Sequence, residues 1–350
     1  MITVDCAQLK LGDVISQDVL TPLGGVLFHK GRVVTMREMD ILTAFMVQQV
    51  AIERGGAEAP PAAKSESKPL PHSGLTLEYD SMVALLKKAY GQVAGGAALP
   101  ILELRTGLEK LLSHSRDYQV LSFSPRHVNQ EEFYYHSSVL SALTCYQLAQ
   151  WAGLPSKDWM QVAMGGLLHD IGNVKVDRTI LAKPGILTSA EQEEMKRHTL
   201  SGYSLLKGVA ALNEGAKLSA LQHHERIDGS GYPLSLSAEN IHPYAKMVAI
   251  ADIFHAMTLN KIYRRASSPY LVLEQIQQDA FGKLDPSYVR TFIEKATQFH
   301  NGTLVRLSDG RVGEIVFTDR NHSTRPWVSV DGSIVDLSTQ RRLHIEEVLS

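Results

Sequence analysis

A series of histidines and aspartates in the middle of the chain offers the donor atoms that divalent metal ions bind. Cleaving a phosphodiester requires activated water at neutral pH and neutralised charge on the phosphoryl oxygens, and two metal ions roughly 3.5–4 Å apart can provide both. Such a centre needs several neutral imidazoles and at least one carboxylate that can bridge. A lone helical histidine is usually a core or surface residue, but the joint pattern favours metal binding. The series consists of His169, Asp170, His198, His223, His224 and Asp252.

A short glycine-rich segment, Gly229-Ser230-Gly231-Tyr232-Pro233, follows the His223-His224-Glu225 run. Glycines let a backbone approach a ligand closely, while tyrosine and proline form a rigid wall. A packed core would not require this segment. Beside the histidine pair it therefore indicates a loop that faces the site.

The two-part signature of His169-Asp170-Ile171-Gly172 and the histidine pair with its Gly-Tyr-Pro loop resembles the HD-GYP domain. That domain is the metal-dependent phosphodiesterase branch of the HD superfamily and hydrolyses cyclic di-GMP. The resemblance covers about residues 130–285. It implies that Asp170 bridges two metal ions, with His169 beside it as the other catalytic residue. The glycine at 172 is itself the expected C-cap of the helix that ends at this pair. The metal ligands that the resemblance implies are His136, His169, Asp170, His198, His223, His224 and Asp252.

Glu132 bears on the number of metal ions. It lies four residues before His136, so both side chains share one face of a helix. Some HD-GYP domains have a glutamate here and hold a third metal, so the resemblance suggests a trinuclear centre. The alternative is a solvated residue at the helix N-terminus, favoured by the helix dipole. The resemblance thus implies two or three divalent ions. The absence of cysteine ligands favours iron or manganese, although zinc also accepts this set.

Candidate substrate contacts follow His224 and Asp252 in the sequence. The resemblance assigns loop contacts to Gly231, Tyr232 and Pro233, and it matches Lys261 and Arg264 to cations that bind substrate phosphates, a role suited to both side chains. Basic residues late in a helix can also simply favour the dipole.

Asn173 departs from the family pattern, because HD-GYP domains usually have a lysine there. An asparagine in the substrate site can donate hydrogen bonds but brings no charge. Loss of one electrostatic donor typically costs on the order of 10²–10³ in rate. The substitution therefore favours a slower enzyme or a sensor.

Composition limits the classes of protein. The chain has 350 residues, 44% of them hydrophobic and 21% charged, with a formal net charge of −2. The length favours two or three domains, and the charge gives no basic field for a nucleic-acid duplex or an anionic membrane. There is no apolar run of about 18 residues and no signal-peptide pattern. The two cysteines form no disulfide framework, so we expect a cytoplasmic protein.

The predicted fold class is mainly α: an HD-type helical bundle with a small α/β N-terminal region and a small β C-terminal module. We expect a small α/β region over 1–54, a Pro/Ala/Ser/Lys-rich linker over 55–75, the helical HD-GYP domain over 76–299 and a β module over 300–350. Helical patterns cover 81–90, 102–113, 131–151, 157–169, 189–207, 215–225, 245–263 and 270–280.

Three functions remain open from the sequence. The first is metal-dependent hydrolysis of cyclic di-GMP to pGpG, with further hydrolysis to GMP left open. The second is a binding module that senses cyclic di-GMP and reports through its flanking regions. The third is an HD phosphohydrolase for another nucleotide, against which the Gly-Tyr-Pro loop argues. A second copy in a homodimer and other signalling proteins are the expected macromolecular partners.

Overall fold

The computed structural model describes most of the chain and divides it into two compact units. The described residues are 2–20, 26–28, 30–35, 38–39, 42, 47–53, 74–125, 128–129, 132–183, 185–259, 266–298 and 302–349. One unit contains the described parts of 1–70 and 298–350, and the other those of 71–297. The predicted linker over 55–75 lies outside these ranges except for residues 74 and 75. The predicted substrate contacts Lys261 and Arg264 lie wholly outside them.

The first unit joins the two ends of the chain. Near the N-terminus, antiparallel pairing gives the strand order β1-β5-β2, and β3 pairs with β4. The C-terminal sheet has the order β10-β6-β7-β8-β9. The strands are β1 Ile2–Asp5, β2 Val14–Ile15, β3 Val19–Leu20, β4 Val26–Phe28, β5 Gln49–Glu53, β6 Leu304–Leu307, β7 Val312–Phe317, β8 Trp327–Val330, β9 Ser333–Asp336 and β10 Ile345–Val348.

The sequence predicts the two ends as separate regions, whereas the structure places them in one unit. Ile15 and Ile52 from the N-terminal strands share a buried core with Val316 and Phe317 from β7. Neither small sheet has much apolar surface of its own to bury, so a common core stabilises both.

The second unit is helical, as the predicted fold class requires. Its described helices are α1 Gly74–Ala94, α2 Ile101–Ser113, α3 Phe133–Trp151, α4 Ser156–Leu168, α5 Arg178–Leu181, α6 Ser189–Lys196, α7 His198–Leu206, α8 Glu214–Gln222, α9 Pro243–Thr258, α10 Pro269–Asp279 and α11 Pro286–Thr297. The predicted mainly α class, a helical bundle with small β-containing regions at both ends of the chain, is confirmed. None of the described helices is long and apolar enough to cross a membrane.

Helix α3 lies at the centre of this unit. Residues 136–145 are all buried, so the helix has no solvent face along this stretch. It packs against α4 and α9. A Cβ at Gly166 of α4 would lie 2.9 Å from the Ser141 carbonyl oxygen and 3.0 Å from Cys145 Sγ, so a glycine is what allows the two helices to approach this closely. This packing brings the end of α4 beside the middle of α9.

The predicted helices differ from the structure in their bounds, most of them by one to three residues, and the helix predicted over 81–90 extends over Gly74–Ala94. Two further differences concern helices that carry candidate ligands. The predicted helix over 189–207 is broken at Arg197 into α6 and α7, and it starts with a capping box between Thr188 and Glu191. The helix predicted over 245–263 begins at Pro243, and its described part ends at Thr258. The break at Arg197 places His198 at the start of a helix rather than within one.

Candidate metal centre

Asp170 lies at the centre of a group of imidazoles and a second carboxylate. Its Oδ2 is 3.6 Å from His169 Nε2, and its Oδ1 is 3.5 Å from His198 Nε2 and 3.8 Å from His223 Nε2. His198 Nε2 and His223 Nε2 are 3.2 Å apart, and Asp252 Oδ1 lies 3.4 Å from His169 Nε2. The structure thus brings together residues that are up to 83 positions apart in sequence. With His224 they form the ligand cluster: His169, Asp170, His198, His223, His224 and Asp252.

The orientation of three of these imidazoles comes from the backbone. His169 Nδ1 lies 2.8 Å, and His198 Nδ1 2.6 Å, from the carbonyl oxygen three residues earlier in the chain. His223 Nδ1 lies 3.0 Å from the carbonyl oxygen four residues earlier. When Nδ1–H donates to such a carbonyl, the tautomer is set and Nε2 carries the free lone pair. All three Nε2 atoms therefore point towards Asp170, and each has a lone pair that it can donate to a metal ion.

Burial and neighbouring charges set the protonation of the ligand cluster. Burial would lower the pKa of His169, but Asp170 and Asp252 raise it to about 9. Burial and the adjacent imidazoles hold the pKa of His223 well below its usual range, and burial lowers the pKa of His224 to about 3. Burial opposes ionisation of Asp252, yet the His169 imidazole lowers the pKa of that carboxyl. Burial thus keeps His223 and His224 neutral beside the ionised Asp252 carboxylate, as metal ligation requires, whereas His169 would have to release its proton to bind a metal ion.

The donor set fits divalent metal ions. Within the described part of the chain, two groups of three have ligand atoms all within 4.8 Å of one another, and His223 belongs to both. The groups are His198, His223 and His224, and His169, Asp170 and His223. His169 Nε2 is buried and makes no hydrogen bond to any described residue. Burying a nitrogen in this way costs free energy unless another group, such as a metal ion, binds it. Nitrogen and oxygen donors without thiolate suit iron, manganese or zinc.

His136 and Glu132 lie beside one another but outside both groups of three found among the described residues. His136 is buried, and its Nδ1 is 2.8 Å from the Tyr79 hydroxyl. Glu132 accepts hydrogen bonds from Lys87 at 2.6 Å and from Asn129 at 2.8 Å. These interactions, the Lys87 hydrogen bond foremost, lower the pKa of Glu132. A cavity of about 500 Å³ opens next to both residues.

The Gly-Tyr-Pro loop lies directly on the ligand cluster. The Tyr232 ring stacks on the His224 ring, with centroids 4.7 Å apart and planes at 26°. Tyr232 N donates to the His224 carbonyl at 3.2 Å. A Cβ at Gly231 would lie 2.5 Å from that same carbonyl oxygen, so glycine is needed for this close approach. Tyr232 and Pro233, which are joined by a cis peptide bond, are half-buried beside the imidazoles.

Glu225 anchors this loop, a role that the sequence analysis did not assign. Its buried carboxylate accepts hydrogen bonds from the backbone N–H groups of Leu234 at 2.6 Å and Leu236 at 2.9 Å. The glutamate directly after a histidine pair was a visible signal, because a buried carboxylate needs partners. Glu225 therefore links the helix that ends at the histidines to the loop that covers them.

The structure corrects the predicted role of Gly172. Helix α4 ends at Leu168 with His169 as its C-cap, and Gly172 lies in the 3₁₀ turn Ile171–Lys175. A Cβ at Gly172 would overlap the His198 carbonyl oxygen and lie 2.6 Å from Gly202 N. Gly172 is thus a close-packing residue between the turn and α7. Asn173, in the same turn, is buried, and its Oδ1 finds no hydrogen-bond partner within the described residues.

A buried polar chain of His255, Thr144 and Tyr118 was missed at the sequence level. His255 Nε2 is 2.7 Å from Thr144 Oγ1, and Thr144 Oγ1 is 3.1 Å from the Tyr118 hydroxyl. Burial lowers the pKa of His255 to about 3, so this imidazole is neutral. The chain links α9, which carries Asp252, to α3.

The comparisons with known proteins agree with this geometry. Residues 119–288 match the HD domain family. Cyclic di-GMP phosphodiesterase PA4108 of Pseudomonas aeruginosa is 34% identical over 211 residues, which are 60% of this chain and 50% of that protein. The cyclic di-GMP phosphodiesterase response regulator RpfG of Xanthomonas campestris pv. campestris is 37% identical over 153 residues, 43% of this chain and 40% of that protein. The 3'3'-cGAMP-specific phosphodiesterase 1 of Vibrio cholerae is 29% identical over 202 residues, 57% of this chain and 46% of that protein.

The chain spans about half the length of the curated relatives that it matches. The matched segment lies in the helical unit and includes the whole ligand cluster and the Gly-Tyr-Pro loop. Residues 119–288, just under half of the chain, are thus similar to the HD domain family. The named cyclic di-GMP phosphodiesterases among the relatives agree with the resemblance to the HD-GYP type that the sequence predicts.

Proposed function

We propose that this chain is a metal-dependent phosphodiesterase that hydrolyses cyclic di-GMP to pGpG in bacterial second-messenger signalling, with hydrolysis on to GMP left open. The observation that carries the proposal is the buried ligand cluster around Asp170 with the Tyr232 ring stacked on one of its imidazoles. The names of the curated relatives, most of them cyclic di-GMP phosphodiesterases, support the substrate.

The proposed reaction uses the ligand cluster as its catalytic centre. Bound divalent ions supply activation of water and neutralise charge on the phosphoryl oxygens. The oxygen of water bonds to phosphorus while the bond to the 3′ oxygen breaks, and that oxygen leaves with a proton. Asp170 can bridge two ions, because its two oxygens face different imidazoles. Tyr232 and Pro233 would form the wall against which the dinucleotide lies. Gly231 keeps this wall close to the imidazoles.

The remaining residue assignments are part of the proposal. We assign metal ligation to His136 as well as to the ligand cluster, with iron or manganese preferred to zinc, and substrate contacts to Asn173, Lys261 and Arg264. The buried, unpaired Oδ1 of Asn173 supports a polar contact there. The cytoplasmic location, the homodimer and other signalling partners stay predictions.

Two alternatives keep specific support. Asn173 in place of the usual lysine favours a slow enzyme that works as a cyclic di-GMP sensor. The similarity to a 3'3'-cGAMP-specific phosphodiesterase favours another cyclic dinucleotide as substrate.

The test is hydrolysis of cyclic di-GMP and 3'3'-cGAMP by protein purified without oxygen, with its metal content measured on the same sample. We expect pGpG from cyclic di-GMP and no product from Asp170→Ala. Asp117→Ala is the matched control, because Asp117 is an exposed aspartate of the same unit and should leave activity unchanged.

The other outcomes distinguish the alternatives. Metal-loaded protein that binds cyclic di-GMP without cleaving it would favour the sensor, and Asn173→Lys would then be expected to restore cleavage. Preferential cleavage of 3'3'-cGAMP would favour the third function. Protein that retains neither metal nor nucleotide would refute the proposal.

A further inference from the structure

We infer that the ammonium group of Lys87 takes the place of a third metal ion at Glu132, so that the centre of this chain holds two ions. The inference rests on the proposed function, because it concerns the metal ions of the same site. It reverses the trinuclear expectation drawn from Glu132 in the sequence.

Both carboxylate oxygens of Glu132 are engaged by side chains of the protein. Oε1 accepts from Lys87 Nζ at 2.6 Å, and Oε2 accepts from Asn129 Nδ2 at 2.8 Å. The Glu132 backbone N–H in turn donates to Asn129 Oδ1 at 2.8 Å. This reciprocal pair holds the carboxylate at the N-terminus of α3. The position of the carboxylate is therefore set by its own loop as well as by Lys87.

The Lys87 ammonium reaches the cavity beside His136. Asp80, Lys87, Lys88, Glu132 and His136 all line this cavity of about 500 Å³. A third ion held by Glu132 and His136 would have to share this space with the Lys87 ammonium. Like charges at such short range repel strongly in the partly buried rim of a protein cavity.

The ligand geometry agrees with a centre that does not include Glu132. Two groups of three donors with ligand atoms within 4.8 Å of one another occur in the described part of the chain, and both consist of ligand cluster residues. Glu132 belongs to neither group. Its side chain is 26% exposed, whereas the side chains of His169, Asp170, His198, His223 and Asp252 are 16% exposed or less. Lys87 thus neutralises a carboxylate at the rim, and the ligand cluster that would hold the metal ions is more deeply buried.

The experiment counts metal ions in the full-length chain. Wild type, Lys87→Met, Lys88→Met and the double variant Lys87→Met/Glu132→Gln are stripped, reloaded with Mn²⁺ and dialysed, and the manganese per chain is measured by mass spectrometry. Titration with Mn²⁺ followed by electron paramagnetic resonance gives the affinity of each site. Lys87 is 52% exposed, so methionine should be accommodated without unfolding the helix. Lys88 is the matched control, because it lines the same cavity.

We expect about two ions in the wild type and in Lys88→Met, as for a two-metal centre. Lys87→Met should gain a third site that binds Mn²⁺ about tenfold or more tightly than the corresponding position of the wild type, and Glu132→Gln should abolish that gain. Three ions in the wild type, or an unchanged count in Lys87→Met, would overturn the inference and leave the proposed function standing. Protein that retains no manganese in any variant would overturn the proposed function and the inference with it.

Discussion

Replacing Gly172 by alanine tests whether the turn after His169-Asp170 positions His198. In the structure, the added Cβ would overlap the His198 carbonyl oxygen and lie 2.6 Å from Gly202 N, whereas ordinary van der Waals contacts of a Cβ begin near 3.4 Å. These neighbouring atoms belong to the backbone, so no side-chain rotation can relieve the overlap. Helix α7 would therefore have to move away from the turn.

The expected magnitude follows from this overlap. Overpacking a close-packed site costs about 1–3 kcal/mol, and a site bounded by backbone lies at the upper end. For a unit of this size, about 3 kcal/mol corresponds to a fall in Tm of roughly 6–12 °C. The displacement also moves His198 Nε2 from its position 3.5 Å from Asp170 Oδ1. Metal–ligand distances tolerate only about 0.2 Å, so we expect metal loss.

The assay is thermal unfolding followed by circular dichroism at 222 nm, which reports mainly on the helical unit, with metal content measured on the same protein. Gly91→Ala is the control, because Gly91 lies within α1 and no atom would approach its Cβ within 4 Å. This variant should be stabilised by about 0.5–1 kcal/mol. If Gly172→Ala retained the Tm and metal content of the wild type, the close contact would not position His198 and the reasoning would be wrong.

Three further changes probe other parts of the chain. Glu225→Gln weakens the anchor of the Gly-Tyr-Pro loop. Because hydrogen bonds to a charged group contribute about 1.5–3 kcal/mol, we expect hydrogen exchange of the loop amides to become about tenfold faster. Unchanged exchange would contradict the role of Glu225 as an anchor. Thr144→Val leaves the His255 ring nitrogen unpaired, so urea unfolding should show a loss of about 1–3 kcal/mol, and an unchanged midpoint would argue against the buried chain. Burial would raise the pKa of Glu38, but hydrogen bonds from Thr35 lower it. The ionised Glu38 carboxylate therefore stabilises the fold above the unfolded-state pKa near 4.5. This stabilisation is lost as the pH falls from there through the lower pKa of the folded state. Glu38→Gln should be less stable than the wild type by about 1–3 kcal/mol at pH 7, with a smaller difference at pH 4; an equal difference at both pH values would contradict the assigned charge.

The donor atoms of the ligand cluster could be predicted from the sequence because their types and order carry the signal. His169, Asp170 and the histidine pair needed no coordinates to be recognised as candidate ligands. The ion pair that Glu132 makes could not be predicted in this way. Its partner Lys87 lies 45 residues earlier on another helix, and only tertiary packing brings the two together. The shared core of the two chain ends was missed for the same reason.

The positions of the ligands depend on helix ends, which periodicity describes least well. His169 is the C-cap of α4, His198 is the first residue of α7, and His223 is the C-cap of α8. At these positions an imidazole can donate Nδ1–H to its own preceding turn and direct Nε2 outwards. The distances between the Nε2 atoms then depend on how closely the helix ends approach. The contact between Gly172 and Gly202 sets that approach for α7. Gly172 therefore governs the geometry of the metal centre, although it has no side chain that could bind a metal ion.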